Sequence, residues 1–195
     1  IFKVKFKKFS KDTWNFIWHS DSLLSWIVSF ILAFLIVKYI IYVGLGLMFG
    51  TGFPVVAVVS GSMEHNGLDF DSWWDENSKW YESNDISFEE FNEFSFKKGF
   101  NKGDIMVLFG VQAKNINKGD IIVFEANSKY PVIHRTVKIW SENDETHFQT
   151  KGDNNPRVFS ELGEDDIVED KIVGKAVLRI PLLGWVKIIF TELIK

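Results

Sequence analysis

The chain has 195 residues, of which 46% are hydrophobic and 16% aromatic, enough for one membrane anchor and one modest domain with a packed core. Its formal net charge of -4 gives no support to nucleic-acid binding, so no nucleic-acid partner is expected. The absence of cysteine excludes a disulfide scaffold, a thiolate zinc site and a cysteine nucleophile.

A basic segment precedes the long apolar run of the chain. Residues 1–11 contain five lysines and no acidic residue. Positively charged residues that flank a membrane span favour the cytoplasmic side of the membrane. Residues 1–22 are therefore predicted to form a cytoplasmic N-terminal segment.

Residues 23–50 form a long apolar run in which Lys38 is the one charged residue. A helix needs about 20 apolar residues to cross a hydrocarbon core of roughly 30 Å. The run therefore predicts a transmembrane helix, with the lipid bilayer as a partner. A buried helix of a soluble domain is the weaker alternative at this length. With a cytoplasmic N-terminus, the rest of the chain is expected on the outer face of the cell membrane.

Beyond this run, the apolar residues follow the pattern of β-strands. Short segments rich in β-branched or alternating apolar residues and bounded by turn signals predict strands, and they are 55–59, 105–109, 121–124, 130–140, 146–150 and 172–178. A Gly-Asp pair precedes the second and third segments, which is typical of a turn followed by a strand. The pattern predicts a mainly β domain, a sandwich or a barrel, over residues 51–180.

Residues 66–100 interrupt the strand pattern and are rich in aromatic and acidic residues. Ser87 and Glu90 have the spacing of a capping box, and the helix that follows would place Phe88 and Phe91 on one face. We interpret the segment as a small helical insertion whose aromatic side chains pack on the β domain. A surface that contacts lipid headgroups or a partner is the alternative, but an anionic bilayer would repel its acidic side chains.

The C-terminal segment, residues 181–195, is also apolar, although Pro181 and Lys187 interrupt it. It is too short and too broken to predict a span by itself. It is expected either to lie in the membrane interface or to begin a second span.

A possible nucleophile, Ser62, lies in a Gly-containing turn shortly after the apolar run. Serine becomes an effective nucleophile when a neighbouring base accepts its proton, and histidine is the usual base near neutral pH. An acid often orients that histidine. Spacing alone does not choose among the histidines of this chain, which are His19, His65, His134 and His147.

Four sequence blocks, in this order, resemble the archaeal and endoplasmic-reticulum type of signal peptidase I. They are Ser60-Gly61-Ser62-Met63-Glu64, residues 119–124, Ile133-His134-Arg135, and residues 150–155. The resemblance covers the apolar run and most of the β domain. It implies a signal-peptidase-like β fold with an N-terminal transmembrane helix.

The resemblance also implies roles for individual residues. Ser62 would be the nucleophile and His134 the general base. Ser60 would line the oxyanion hole together with the Ser62 backbone N–H. Asp153 would be the acid of a catalytic triad, and neither a metal nor another cofactor is implied.

Two departures from the family pattern affect these roles. His65 stands where the family usually has proline after Ser-Met-Glu, directly before the insertion. The family also commonly has a second Asp about six residues after the Gly-Asp-Asn-Asn turn, where this chain has Phe159 and Ser160. Glu161 is the nearest carboxylate to that position and is therefore the alternative acid, in which case Asp153 would only stabilise its turn.

The expected function is that of a membrane-bound serine endopeptidase, a hydrolase that removes signal peptides from secreted preproteins. Its expected partners are signal-peptide-bearing preproteins, the bilayer and the protein translocation machinery. Two alternatives stay open at this stage. One is a non-catalytic, membrane-tethered β module that binds a translocation partner, and the other is a peptidase of the same fold that cleaves a pilin or cleaves itself.

Overall fold

A computed structural model describes residues 2–193, with the side chains of residues 8 and 10–189. The chain divides into two compact units, Ile1–Met48 and Phe49–Lys195. Of the predicted lysine-rich segment, Lys3, Lys5 and Lys7 have side chains outside the described part.

Helices make up the first unit and its connection to the second. They are α1 (Phe2–His19), α2 (Leu23–Ile36), a π-helical turn (Val37–Ile41) and α3 (Tyr42–Phe49). Ser22 begins α2, because its side chain accepts a hydrogen bond from the Ser25 N–H at 3.2 Å. The hydroxyl of Ser29 donates to the carbonyl of Ile17 at 3.0 Å and so joins α2 to α1.

The helical stretch Leu23–Phe49 matches the predicted span to within one residue. It has 27 residues and a mean hydropathy of 2.4. By length and composition it is apolar enough to cross a bilayer. That it does so stays a prediction.

A seven-stranded antiparallel sheet forms the second unit, with the strand order β1-β2-β7-β3-β4-β5-β6. The strands are β1 (Val55–Ala57), β2 (Ile105–Phe109), β3 (Ile121–Phe124), β4 (Val132–Glu142), β5 (Glu145–Lys151), β6 (Ile167–Val168) and β7 (Ile172–Ile180). The predicted fold class, mainly β with an N-terminal apolar helix and small additional helices, is confirmed.

Strand β3 separates two hydrophobic cores. Ile121 and Val123 pack on one side with Met63, whereas Ile122 and Phe124 pack on the other with Phe148. All four residues of β3 are buried, because successive side chains of a strand point to opposite faces and both faces are covered here. The fully apolar sequence of this strand reflects that position.

The insertion contains two helices, α4 (Phe70–Glu82) and α5 (Phe88–Asn92). Five of its buried aromatic residues form a third core together with Val137 of β4, and they are Phe70, Trp73, Trp74, Tyr81 and Phe91. Half of the predicted capping box is present, because Ser87 Oγ accepts from the Glu90 N–H at 3.2 Å. The Glu90 carboxylate pairs instead with Lys118 at 2.9 Å.

After β7 the chain turns into a short helix, α6 (Trp185–Leu193). The turn is joined to the start of β2, since the Leu182 N–H donates to Asp104 Oδ1 at 3.1 Å and the Gly184 N–H donates to the Gly103 carbonyl at 2.8 Å. Residues 194–195, in the segment predicted as interfacial or as the start of a second span, lie outside the described residues.

Candidate active site

The turn that carries Ser62 is fixed at its beginning by a loop before β2. The Val58 N–H donates to the Asp104 carbonyl, and the Gly103 N–H donates to the Val58 carbonyl, both at 2.9 Å. The turn then closes on itself, since the Glu64 N–H donates to the Gly61 carbonyl at 3.1 Å. These backbone contacts hold the turn directly beyond the edge strand β1.

A second loop, residues 152–155, holds the other side of this turn. The Asn154 N–H donates to the Ser62 carbonyl at 2.8 Å, and the Asn154 side chain donates to the Gly61 carbonyl at 3.0 Å. Gly152 permits this close approach, because a Cβ atom there would lie 2.7 Å from the Ser62 carbonyl oxygen. Residues about 90 positions apart are thereby brought together at the proposed nucleophile.

His134 meets Ser62 from strand β4. Its Nε2 atom lies 2.8 Å from Ser62 Oγ, a normal hydrogen-bond distance. The imidazole is buried, whereas Ser62 is half-buried and Ser60 is exposed at the mouth of the site. The nucleophile and base predicted from the sequence therefore lie in mutual contact.

The carboxylate that contacts His134 in the described part of the chain belongs to Glu164. Its Oε1 atom is hydrogen-bonded to His134 Nδ1. Its Oε2 atom accepts from the Phe159 N–H at 2.7 Å, and its backbone carbonyl accepts from the Thr150 N–H of β5 at 2.8 Å. The Glu164 side chain is fully buried and held at both oxygens.

The hydrogen bonds form a directional chain. The Glu164 carboxylate accepts from Nδ1–H of His134, so Nε2 is free to accept from the Ser62 hydroxyl. Ser62 Oγ can in turn accept from Ser60 Oγ, which lies 3.2 Å away. This arrangement is suited to proton transfer from serine to histidine.

Asp153, the acid preferred from the sequence, does not contact His134. It accepts hydrogen bonds from Arg135 Nε at 2.9 Å and Arg135 Nη2 at 2.7 Å, from the Tyr81 hydroxyl at 3.2 Å and from His65 Nε2 at 3.1 Å. Burial alone would raise the pKa of Asp153. The Arg135 charge and the hydrogen bonds from Arg135 and His65 outweigh burial and hold this pKa well below its ordinary value.

The alternation of β4 explains this separation. His134 pairs with Ile122 and Arg135 pairs with Ile121, so the two adjacent side chains point to opposite faces of the sheet. Glu164 lies on the His134 side, and Asp153 lies on the Arg135 side.

Glu161, the alternative acid, is exposed and bound elsewhere. Its carboxylate pairs with Arg157 at 2.7 Å, and its side chain is 67% exposed. The hydrogen bonds from Arg157 lower the pKa of Glu161. The structure brings together Ser60, Ser62 and His134 of the predicted site residues, and it places Asp153 and Glu161 in other pairs.

Glu164 was missed by the sequence prediction. A local signal for it is Gly163, whose φ of 75° ends the short helical turn Ser160–Leu162 and reverses the chain. Glu164 follows this turn directly, three residues before β6, and its side chain is fully buried. Among the side chains that the structure describes, those of residues 8 and 10–189, no group of three or more His, Cys, Asp or Glu is arranged to hold a metal ion.

The chain is similar to catalytic subunits of the signal peptidase complex. It is 33% identical over 105 residues to "Signal peptidase complex catalytic subunit SEC11" of Colletotrichum graminicola and 32% identical over 103 residues to the corresponding subunit of Neurospora crassa. Each match covers 50% of this chain and 60% of the relative. The human "catalytic subunit SEC11C" is 27% identical over 157 residues, which are 78% of this chain and 65% of that relative.

The chain thus spans less than two thirds of the length of these curated relatives. No protein-family profile matches it. The relatives' printed names agree with the signal peptidase resemblance drawn from the four sequence blocks, and the three relatives named here come from eukaryotes.

Proposed function

We propose that this chain is a membrane-anchored serine endopeptidase of the signal peptidase I type, which removes signal peptides from preproteins. The contact of Ser62 with His134, and of His134 with the buried Glu164, is the observation that carries the proposal. The names of its relatives support the choice of substrate.

In the proposed mechanism, Ser62 Oγ attacks the scissile carbonyl carbon while His134 Nε2 accepts the hydroxyl proton. Glu164 keeps the Nδ1–H tautomer of His134 and stabilises the imidazolium that forms. The Ser60 hydroxyl and the Ser62 backbone N–H donate to the developing oxyanion.

His134 then gives its proton to the leaving amine, and an acyl enzyme on Ser62 remains. A water molecule attacks the ester while His134 again serves as the base, which releases the acid product and restores the Ser62 hydroxyl. Glu164 replaces both Asp153 and Glu161 as the proposed third member of the triad.

The edge strand β1 supports an extended substrate. It lies at one end of the strand order and leads into the Ser62 turn. An unpaired strand edge can accept a peptide as an additional strand, which places successive carbonyl groups at fixed positions. We propose that the cleavage site of the preprotein binds in this way, with small side chains next to the scissile bond in shallow apolar pockets.

The apolar helix Leu23–Phe49 is proposed to anchor the enzyme in the membrane. The lysine-rich N-terminus would face the cytoplasm, and the peptidase unit would face outward. Membrane-embedded preproteins and the translocation machinery that delivers them would then be partners.

Cleavage of a preprotein by the full chain in liposomes tests this proposal. Ser62→Ala and His134→Ala should each lower kcat by about 10⁴-fold or more, because nucleophile and base act as a unit. His147→Ala is the matched control, since His147 also lies on the sheet and bonds a carboxylate, that of Asp166 at 2.6 Å.

Wild-type cleavage by either site variant would refute the assignment of the site. A second outcome separates the activity from the substrate. If the wild type cuts a short peptide but no preprotein, and both variants lose the peptide cleavage, the peptidase assignment stands and the proposed substrate is refuted.

A further inference from the structure

The aromatic insertion contributes to the network that holds the nucleophile in place. From its contacts, we propose that Tyr81 of the insertion, together with His65, the residue directly before the insertion, is a positioning residue for Ser62. Both act through Asp153 and its loop rather than by touching the substrate. This inference rests on the proposed roles of Ser62 and His134.

The first step is the hydrogen-bond shell of Asp153. The carboxylate is fully buried and accepts four hydrogen bonds, two from Arg135, one from Tyr81 and one from His65. Two of the four thus come from the insertion or from the residue directly before it. A buried carboxylate with every oxygen bonded has one preferred orientation, because any rotation would leave a donor unpaired.

The second step connects Asp153 to the nucleophile. The Asp153 N–H donates to Met63 Sδ at 3.4 Å, and the next residue, Asn154, donates its N–H to the Ser62 carbonyl at 2.8 Å. A shift of the Asp153 side chain would therefore move a loop that is bonded to Ser62 itself. The 2.8 Å contact between Ser62 and His134 depends on that loop.

The third step concerns what fixes Tyr81. Its ring is fully buried and packs edge-on against Phe91, with centroids 4.9 Å apart, and beside Trp74 at 5.8 Å. His65 lies flat on Trp73, with ring centroids 3.8 Å apart and an angle of 4° between the planes. The aromatic core therefore presents both donors to Asp153 in rigid positions.

The Tyr81 hydroxyl also lies between two buried charged groups and is hydrogen-bonded to both. It accepts from Lys151 Nζ at 3.3 Å while it donates to Asp153 Oδ1 at 3.2 Å. Lys151 further donates to the Gly152 carbonyl at 3.0 Å, in the same loop that packs on Ser62. One hydroxyl thus bridges the cation and the anion at the base of the Ser62 loop.

Tyr81→Phe removes that hydroxyl and keeps the ring in the aromatic core. We expect kcat for preprotein cleavage to fall by about three- to tenfold, because a small displacement of the nucleophile lowers the rate without altering substrate contacts. KM should change by less than about twofold. His65→Phe, which keeps the stack on Trp73 but removes the Nε2 donor, should act in the same direction.

Tyr130→Phe is the matched control, since Tyr130 is 64% exposed and the same atom is removed. Thermal unfolding of each full-length variant in detergent separates positioning from loss of fold. An unchanged kcat in Tyr81→Phe, or a change in KM alone, would overturn the inference. Ser62→Ala tests the proposed function separately, so the two failures can be distinguished.

A readout that needs no substrate covers the case in which the proposed substrate is wrong. The chain has four histidines, so the imidazole ¹⁵N resonances of His134 can be assigned by substitution. Tyr81→Phe should shift the Nε2 resonance toward its position in Ser62→Ala, because the hydrogen bond to Ser62 weakens. An Nε2 resonance identical to that of the wild type would overturn the inference.

Discussion

Glu164 and Asp153 are both fully buried carboxylates, and each meets one of two adjacent residues of β4. Glu164 is hydrogen-bonded to His134, which in turn contacts the half-buried Ser62. Asp153 is bonded to Arg135, which is itself completely buried. The same chemical group therefore occupies two different environments on opposite faces of one strand.

The Arg135 side is saturated with hydrogen bonds, whereas the His134 side leads to solvent. Nη1 of Arg135 donates to the carbonyls of Ser95 and Gly119, and Nη2 donates to the carbonyl of Phe96 as well as to Asp153. With Nε also bonded to Asp153, all five guanidinium donors have partners. Such a pair stabilises a structure but has no capacity left for proton transfer.

The largest expected effect tests the His134 side. Glu164→Gln keeps the size of the side chain but removes the charge that stabilises the imidazolium and selects its tautomer. We expect kcat to fall by about 10³- to 10⁴-fold, as with other triad acids. Steady-state cleavage of a preprotein by the full chain measures it.

Glu161→Gln supplies the comparison for this prediction, because its carboxylate is exposed and paired with Arg157. Its rate should stay within about twofold of wild type, as expected for a surface pair. Equal losses in the two variants, or full activity in Glu164→Gln, would contradict the assignment of Glu164.

The next largest effect concerns stability on the Arg135 side. Asp153→Asn leaves a buried guanidinium without its counter-charge, which costs about 3–5 kcal/mol and should lower the unfolding midpoint by roughly 6–20 °C. Because the folded-state pKa of Asp153 is lowered, its contribution is present above the unfolded-state value of about 3.9 and is lost as the pH falls below it.

Unfolding midpoints measured between pH 2 and 5 should therefore fall more steeply as the pH is lowered in the wild type than in Asp153→Asn. If the unfolding midpoints of the two proteins fall equally as the pH is lowered, the Arg135–Asp153 pair does not contribute to the pH dependence of stability.

Lys151 gives a smaller effect of the same sign in a more alkaline pH range. Burial lowers the pKa of Lys151 from 10.5 to about 8. Between these two pH values the unfolded chain binds more protons than the folded one, so stability rises with pH, by about 3 kcal/mol across the full window. Lys151→Met should abolish this rise between pH 8 and 10, as measured by denaturant unfolding, and a rise retained in the variant would refute it.

The smallest effect belongs to a histidine–carboxylate pair outside the site. The hydrogen bond that His147 donates to the Asp166 carboxylate raises the pKa of His147. Asp166→Asn should return that pKa toward 6.5 in an NMR titration while the cleavage rate stays within about twofold. A large loss of activity would mean that this pair, rather than His134 with Glu164, serves the reaction.

The strands of the sheet were predictable because their patterns are local. The predicted segments 105–109 and 121–124 coincide with β2 and β3, and the apolar helix agrees to within one residue. The two-residue strand β6 was not predicted. Two residues are too few to show the alternation of a strand, and β6 forms through its pairing with β5.

The nucleophile and base could be predicted because both lie within recognisable sequence blocks. The acid could not, since its selection depends on which face of β4 each carboxylate reaches. Asp153 stands in the expected block but follows β5 onto the Arg135 side. Glu164 follows a turn whose path is set by Gly163 and by the hydrogen bond from the Thr150 N–H. Gly163 marks the turn in the sequence, but the contact with Thr150 depends on the fold.

The complete burial of β3 has a consequence for motion in this domain. The amides of Ile122 and Val123 are covered by a hydrophobic core on each face and by strands on both sides. Their exchange with deuterium should require opening of the whole domain, so they should be among the last to exchange. Because His134 is paired with Ile122, the base is attached to the slowest-exchanging part of the fold. Local opening of the site should therefore occur in the loops that carry Ser62 and Glu164.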